Sequence, residues 1–291
     1  MKPLVSVIIP TYRDWDRLEI CLASLNKQSI AKEKFNIYII DNDPYSQVNN
    51  LNLPSNGYLV REEKKGSYAA RNTGIKLAET PLLAFIDSDC IADPDWLKNA
   101  IRFLDTNPQI GLLGGQIDLF KEEDGNDLAF LFEKHYAFRQ QENIRKFNKS
   151  VTANLVVRSN LFLKFGFFDE SKLSGADMEW TSAVVGAGER IVFVKDVVVR
   201  HPARKSITEL CVKRRRTIGG YYHLTYRNLS LTKRVISHLV AFLAPIKTVS
   251  KFENIPLTER VVVLFVKWRI EFAAFSELIR IIFLKKELER S

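Results

Sequence analysis

The first part of the chain alternates short β-branched runs with segments whose apolar residues recur at helical spacing. Runs that predict buried strands lie at residues 5–9, 36–40, 57–61 and 82–86. Helices are expected after the first run, over 68–78, and from Pro94 onward with Asp93 as the cap. Strands alternating with helices in this rhythm predict an α/β fold with a mostly parallel, Rossmann-like sheet flanked by helices.

The second part of the chain is less regular. Further strands are expected at 111–119, 152–157, 191–194 and 197–199. A helix is predicted over 128–142, and another begins at Asp177 and stops at the Gly-Ala-Gly of 186–188. We therefore expect the sheet to continue beyond the first four strands.

Composition is that of a globular protein. The 291 residues are 46% hydrophobic and 26% charged, which fits one large domain with an appendage, or two small domains. Three scattered cysteines without a CxxC pair argue against a disulfide framework or a zinc site. Residues 1–4 lack the pattern of a secretory signal, so we expect a cytoplasmic protein.

The net charge of +9 is unevenly distributed. Residues 203–291 hold 18 Lys or Arg against 7 Glu, so residues 1–202 are close to neutral. A nucleic-acid-binding protein would need a basic main body. Because residues 1–202 are close to neutral, we expect no nucleic-acid partner. The basic tail instead favours an acidic surface, with an anionic membrane as the leading candidate.

Polar and acidic residues follow three of the predicted parallel strands. They are Thr11 and Tyr12, Asp41 and Asp43, and the Asp87-Ser88-Asp89 tripeptide. Open α/β sheets bind ligands at the carboxyl ends of their strands. The two carboxylates of Asp-x-Asp can converge on Mg²⁺ or Mn²⁺, which also bridges diphosphate oxygens. An isolated Asp-Ser-Asp is, however, also common as a turn or helix cap.

Four segments occur together in fixed order: Val-Ser-Val-Ile-Ile-Pro-Thr-Tyr (5–12), Ile-Ile-Asp-Asn-Asp (39–43), Ala-Arg-Asn-Thr-Gly (70–74) and Phe-Ile-Asp-Ser-Asp (85–89). As a set they resemble the nucleotide-binding half of the family 2 glycosyltransferases, which adopt the GT-A fold. The resemblance spans about residues 4–203. It implies a catalytic domain over 1–203, with a donor half of about 1–115 and an acceptor half of about 116–203, followed by a helical extension over 204–291.

The resemblance implies roles for the donor-side residues. Thr11 and Tyr12 would line the nucleobase pocket, and Asp41, with Asp43 close by, would accept a hydrogen bond from the base, usually uracil. Arg71 would lie near the diphosphate or base, Asp87 by the ribose, and Asp89, next to Ser88, would be the firmer metal ligand. Simpler interpretations remain open. Tyr12 could be a packing residue and Asp41 an ordinary turn residue, and Arg71 could cap a helix or pair with Glu79.

The resemblance also implies an acceptor side. Asp177 takes the position of the general base, although Ala176 stands where the family usually has Glu. Asp177 could also be only the N-cap of its helix, and Glu179 is the fallback base. His201, 24 residues after Asp177, is a candidate metal ligand, and Asn154 and Trp180 are assigned to the acceptor side. The implied reaction is a single displacement with inversion, in which the base takes a hydroxyl proton.

The tail combines a basic cluster with an apolar stripe. Residues 213–216 read Lys-Arg-Arg-Arg, and the Gln-x-x-Arg-Trp motif of processive family members is missing there, which favours transfer of one sugar at a time. Apolar residues three or four apart form the stripe: Val261, Leu264, Trp268, Phe272, Phe275, Ile279 and Phe283. This pattern fits a helix lying on the inner leaflet of the cytoplasmic membrane. Packing on the catalytic domain and dimerisation are the alternatives.

The prediction is an inverting, Mn²⁺- or Mg²⁺-dependent transferase that moves a single sugar, from UDP by preference, to a glycan or lipid-linked envelope acceptor. Two other classes stay open. A sugar-nucleotide pyrophosphorylase would carry a Gly-rich, Arg-containing loop after the first strand, which residues 10–14 lack. A non-catalytic basic membrane-binding module is the second.

Overall fold

The computed structural model describes residues 2–46, 51–172, 174–224 and 255–284, with single positions at 230, 233, 236, 240 and 243. The chain divides into two compact units. The first comprises residues 1–118 and 138–201, and the second comprises 119–137 and 202–291. The predicted boundary near residue 203 coincides with the start of the second stretch, but residues 119–137 belong to the second unit.

Eight strands of the described residues form one sheet, in the order β3-β2-β1-β4-β7-β6-β8-β5. They are β1 (Val5–Thr11), β2 (Phe35–Asp41), β3 (Gly57–Arg61), β4 (Leu82–Phe85), β5 (Ile91–Ala92), β6 (Leu112–Phe120), β7 (Leu155–Arg158) and β8 (Ile191–Pro202). The first four pair in parallel. The β4–β7, β6–β7 and β5–β8 pairs are antiparallel, so the sheet is mixed and its parallel part is the amino-terminal half. The predicted α/β class is confirmed.

Nine α-helices accompany the sheet in the described residues. They are α1 (Trp15–Leu25), α2 (Ser67–Leu77), α3 (Trp96–Thr106), α4 (Asp127–Tyr136), α5 (Gln140–Phe147), α6 (Asn160–Phe165), α7 (Ala176–Gly186), α8 (Ile207–Leu224) and α9 (Leu257–Leu284). The helical C-terminal extension is therefore present. None of the helices in the described ranges is long and apolar enough to cross a membrane.

Both faces of the parallel strands are buried, which explains their continuous apolar runs. On β1, Val5, Val7 and Ile9 face a core shared with α1 and α3. Ile8 faces a second core built with α2, α6 and α7. The alternation along one strand thus supplies two hydrophobic layers.

Several predicted boundaries were wrong for local reasons. The helix expected over 128–142 is two helices, because Phe138 between them has a left-handed φ of 44°. Helix α3 begins at Trp96, since Asp93 forms a turn in which its carboxylate accepts from the Asp95 amide at 3.0 Å. The expected strands 191–194 and 197–199 are one strand, and residues 152–154 form a 3₁₀ turn before β7.

The second unit is built from α4, α8 and α9. Its described core consists of hydrophobic side chains from all three helices: Ala129, Phe132, Leu210, Cys211, Val263, Val266, Ile270 and Ala273. Of the predicted apolar stripe, the side chain of Phe283 lies outside the described residues. The same holds for most of residues 225–254.

Candidate functional site

Three strands present polar residues in one row at the carboxyl edge of the parallel sheet. Thr11 at the end of β1 is in register with Asp41 of β2, and Asp41 with Arg61 of β3. Thr11 and Asp41 are buried, and an Asp41 carboxylate oxygen accepts from the Asp43 amide at 3.0 Å. The Thr11 Oγ1 has no hydrogen-bond partner among the described residues, so it is a polar atom at the site edge that a ligand could satisfy.

Arg13 and Asp43 form an ion pair beside this row. Arg13 Nε lies 2.6 Å from Asp43 Oδ2, and its guanidinium lies 5.1 Å from the centre of the Tyr12 ring. The hydrogen bond from Arg13 lowers the pKa of Asp43 below its ordinary value, so this carboxylate is ionised at neutral pH. Tyr12 is about half exposed. Its ring is therefore accessible for stacking. The Asp43 carboxylate, by contrast, is already in an ion pair with Arg13.

Asn42, which the sequence analysis passed over, fixes the loop that precedes α2. Its amide nitrogen donates to the carbonyls of Glu62 at 3.0 Å and Lys64 at 2.8 Å. Its side-chain oxygen accepts from the Gly66 amide at 2.7 Å, where the backbone has a φ of 127° that favours glycine. The sequence signal for this contact was the position of Asn42 between two aspartates at a strand end, together with a Gly just before the next helix.

Arg71 on α2 reaches the Asp-x-Asp tripeptide directly. Its guanidinium lies 2.5 Å from Asp87 Oδ1, and the Arg71 side chain is almost fully buried. The alternative pairing of Arg71 with Glu79 is wrong, because this guanidinium is used by Asp87. The contact between Arg71 and Asp87, which was not predicted, therefore exists without a bound ligand.

Asp89 and His201 form the group best suited to a metal ion. His201 Nε2 lies 3.5 Å from Asp89 Oδ1, and both side chains are largely buried. Ligand atoms of Asp89, Cys90 and His201 lie within 4.8 Å of one another. One carboxylate and one imidazole suit Mn²⁺, so the residues fit the expected cofactor. Asp87 is held by Arg71 and stands outside this trio, and Ser88 lies half-buried between the two aspartates.

Asp177 is buried and surrounded by hydrogen-bond donors. One carboxylate oxygen accepts from the Tyr68 hydroxyl at 3.0 Å and from the Met178 amide at 2.9 Å. The other accepts from the Thr152 amide at 2.9 Å and from the Thr152 hydroxyl at 3.2 Å. The N-cap interpretation of Asp177 is wrong: Gly175 occupies that position of α7, with φ of 83°.

Tyr68 links the Asp177 carboxylate to the Asp-x-Asp tripeptide. Its hydroxyl donates to Asp177, and its ring lies 5.6 Å from the Arg71 guanidinium carbon, which in turn holds Asp87. Burial, followed by the Asp177 charge, raises the pKa of Tyr68, so the phenol stays protonated and remains a donor. The sequence signal was a Tyr three residues before Arg71, which places both on one face of α2.

Three residues assigned to the acceptor side have other surroundings. Asn154 is fully buried, and its amide accepts from Trp96 Nε1 at 2.9 Å and donates to the carbonyls of Gln116 and Val197. A Cβ at Gly115 would lie 2.4 Å from this amide, so only glycine fits there. Asn154 therefore braces the sheet, because its side chain is fully buried and both of its N–H groups are in use.

Trp180 and Glu179 differ from each other although they are neighbours. The Trp180 ring stacks on Phe162 at 4.2 Å, inside the core. Glu179 is exposed and forms an ion pair with Lys172. Trp180 is thus a packing residue, and Glu179 lacks the enclosed environment of Asp177.

Comparison with known proteins agrees with this geometry. Residues 6–168 match the model of glycosyl transferase family 2. The chain belongs to this family. It is 33% identical over 208 residues to the glycosyltransferase AglE of Haloferax volcanii, covering 69% of this chain and 68% of AglE. It is 23% identical over 235 residues to an uncharacterized glycosyltransferase of Methanocaldococcus jannaschii, covering 77% and 79%. The chain is thus a transferase, which sets aside the pyrophosphorylase and the non-catalytic module.

Solved structures show the same fold. The mannosyltransferase PcManGT of Pyrobaculum calidifontis, in complex with GDP-Man and Mn²⁺, superimposes with a TM-score of 0.62 at 17% identity, covering 98% of this chain and 89% of PcManGT. Residues 1–349 of TarS of S. aureus with UDP superimpose with a TM-score of 0.53 at 17% identity, covering 95% and 92%. The predicted GT-A fold of this family 2 glycosyltransferase is confirmed.

We predict that Asn154→Ala destabilises the protein by about 2–4 kcal/mol, because a buried indole N–H and two carbonyls lose their partners. Urea unfolding measures this loss. The control is Asn99→Ala, which removes one exposed hydrogen bond to the Asp196 carbonyl and should cost under about 1 kcal/mol. An Asn154→Ala protein of unchanged stability with a raised KM for the acceptor would contradict the bracing role.

Proposed function

We propose that this glycosyltransferase is metal-dependent and inverting, and transfers one sugar from a nucleoside-diphosphate sugar to a hydroxyl of a saccharide or lipid-linked acceptor in envelope glycan synthesis. The observation that carries the proposal is the linked pair of acidic centres in the first unit. The Asp89–His201 group fits a metal, and the buried Asp177 carboxylate fits a general base. Tyr68 and Arg71 connect Asp177 with Asp87, the other carboxylate of the Asp-x-Asp tripeptide.

The donor nucleotide is assigned to the carboxyl edge of β1 and β2. Thr11 offers a buried hydroxyl without a partner, Tyr12 an accessible ring, and Asp41 a carboxylate in register with Thr11. The imide N–H of uracil could donate a hydrogen bond to such a carboxylate, so UDP-sugars are the first candidates. GDP-mannose is the second, since a protein of the same fold was solved with it.

Asp89 and His201 would hold the cation, with Mn²⁺ or Mg²⁺ both compatible with an oxygen-rich site. When bound, the cation neutralises charge that develops on the departing diphosphate. Arg71 would act from the other side of the tripeptide by fixing Asp87 in place. The chain thus supplies positioned charges of both signs around the leaving group.

Asp177 would take the proton of the attacking hydroxyl. Four donors hold the carboxylate in one orientation, which costs little reorganisation when the acceptor arrives. The Thr152 hydroxyl makes the longest of the four hydrogen bonds, at 3.2 Å, and can rotate away, so the oxygen that it contacts is our choice for the reacting atom. Attack from this side gives inversion at the anomeric carbon without a covalent sugar–enzyme intermediate.

We predict that Asp177→Asn lowers kcat at least about 100-fold while donor binding is kept, because the amide cannot accept the proton. Asp89→Ala should abolish both metal-supported donor binding and transfer. Transfer from radiolabelled UDP- and GDP-sugars to a lipid-linked saccharide, and calorimetric donor titration with Mn²⁺, measure the two effects.

The matched control is Asp169→Asn, which changes an exposed carboxylate in the same unit. Its transfer rate should equal that of the unmodified protein. Transfer at the normal rate by Asp177→Asn would contradict the base assignment, and Asn substitution at Glu179 would then be the next test.

The membrane association expected from the sequence finds support on α9. Six apolar residues three or four apart are 37–63% exposed along one face: Val261, Phe265, Trp268, Phe272, Phe275 and Ile279. Phe265 replaces the predicted Leu264, which is half-buried against the core of the second unit. The opposite face, including Val263, Val266 and Ile270, is packed. We propose that this exposed face lies in the interface of an anionic membrane, as on the inner side of the cytoplasmic membrane.

We predict that the double variant Phe265→Ser and Phe272→Ser weakens binding to vesicles containing anionic lipid at least about tenfold, since two rings no longer leave water. Co-sedimentation measures the binding. The control is Leu163→Ser, which removes an 86% exposed apolar side chain from the first unit and should have no effect. Undiminished vesicle binding by the double variant, or a dimer that it dissociates, would contradict the proposal.

A further inference from the structure

A cavity of about 220 Å³ lies within the second unit, among α4, α8 and α9. Its lining combines aromatic, aliphatic and charged side chains from all three helices. Three lining residues are cationic, namely Lys213 and Arg214 of α8 and Lys267 of α9. None of the contacts described so far for donor or acceptor uses this cavity.

Two buried carboxylates hold these cations in position. Glu271 lies 2.9 Å from Arg214 and 2.7 Å from Lys267, and Glu133 lies 3.4 Å from Lys213. Burial lowers the pKa of the Lys213 ammonium. Glu133 opposes this by raising the pKa, and the charges of Arg204 and Arg216 lower it further. Three lining cations therefore face two carboxylates, and this cluster carries excess positive charge in a partly desolvated place.

The cavity also contains donor capacity that the protein does not use. Arg214 donates to Glu271 through one terminal nitrogen, while its buried Nε has no hydrogen-bond partner in the described residues. An unmet guanidinium N–H is costly, and an anion offers the acceptor that it lacks.

Apart from Thr217 and the Tyr136 hydroxyl, the remaining wall of the cavity is apolar. The rings of Phe132 and Tyr136 stack at 4.8 Å, and the Lys267 ammonium lies 5.4 Å from the centre of the Tyr136 ring. Such a wall lowers the local dielectric and strengthens the attraction of the cations for an anion. It also suits an apolar group attached to that anion.

We propose that this cavity is a phosphate-binding site, separate from the donor site, that takes the phosphoryl group of a phosphate ester or free phosphate. Its volume accommodates one phosphoryl group with a short attached segment. A carboxylate would meet the same cations, but phosphate offers more acceptor oxygens for the three cations that line the cavity. Attribution of the phosphate to the lipid carrier of an acceptor rests on the proposed function; the phosphate site itself does not.

Calorimetric titration of the full-length protein tests the proposal in two arms, with inorganic phosphate and with a short-chain prenyl phosphate. Lys213→Gln should weaken binding in both arms about tenfold, because one cation is lost while the amide can still bond to Glu133. Glu133→Gln should strengthen it, because a competing carboxylate is neutralised and its oxygen still accepts from the Arg204 amide. The control Lys98→Gln alters an exposed lysine of the first unit and should change nothing.

Tighter binding of the prenyl ester than of inorganic phosphate would identify a lipid phosphate as the occupant, and equal binding would identify a free phosphate. Opposite effects of the two variants exclude a general loss of folding, since misfolding would weaken both. The proposal is overturned if neither ligand binds, or if phosphate binds with the same affinity to all three variants. Both readouts are independent of sugar transfer, so failure here and failure of the proposed reaction are distinguishable.

Discussion

The parallel pairing of β1 with both β2 and β4 is the constraint on which the site depends. Parallel strands end at the same edge, so residues that are thirty or more positions apart in sequence emerge side by side. Thr11, Asp41 and Arg61 form one row there, and Asp87 follows the neighbouring strand. Hydrophobic layers on both faces hold this register, because Val5, Val7 and Ile9 pack in one layer and Ile8 in the other, and a slip by one residue would exchange the two sets.

Buried charge at this edge is balanced within the protein. Arg71 is paired with Asp87 and Arg13 with Asp43, while the Asp177 carboxylate is stabilised by hydrogen bonds instead of a cation. The buried partner of each pair would be costly to leave without its counter-charge, so these pairings stabilise the fold. Tyr68 belongs to both sides, since its hydroxyl bonds to Asp177 and its ring faces Arg71. A shift of either acidic centre therefore changes the surroundings of the other.

The sequence was sufficient for the parts that depend on short-range pattern. The buried runs predicted the α/β class, and the polar residues that follow them were correctly placed at one edge of the sheet. It was insufficient where a residue's surroundings come from distant segments. The Tyr68–Asp177 bond joins positions 109 residues apart, and Asn154 meets Trp96 and Val197 across the sheet. The break between α4 and α5 depends on the left-handed φ of Phe138, and hydrophobic periodicity does not reveal the φ angle of one residue.

The same limit explains the antiparallel half of the sheet and the second unit. Strand β7 runs antiparallel to β4 because of connections that periodicity does not encode. Helical spacing in the tail predicted an apolar face on α9, but which face is exposed depends on packing against α4 and α8. The exposed stripe therefore contains Phe265 in place of the predicted Leu264. The cation cavity was visible in sequence only as the run of basic residues at 213–216.

The central claim is that the acidic edge of the first unit binds a nucleoside diphosphate through a cation. The most direct measurement is thermal unfolding with UDP or GDP, each with and without Mn²⁺. At about 100 times the dissociation constant, a bound nucleotide adds about 2.7 kcal/mol of stability, and the account predicts a raised Tm only when nucleotide and Mn²⁺ are present together. A Tm raised equally without the metal, or not raised by either nucleotide with it, would contradict the account.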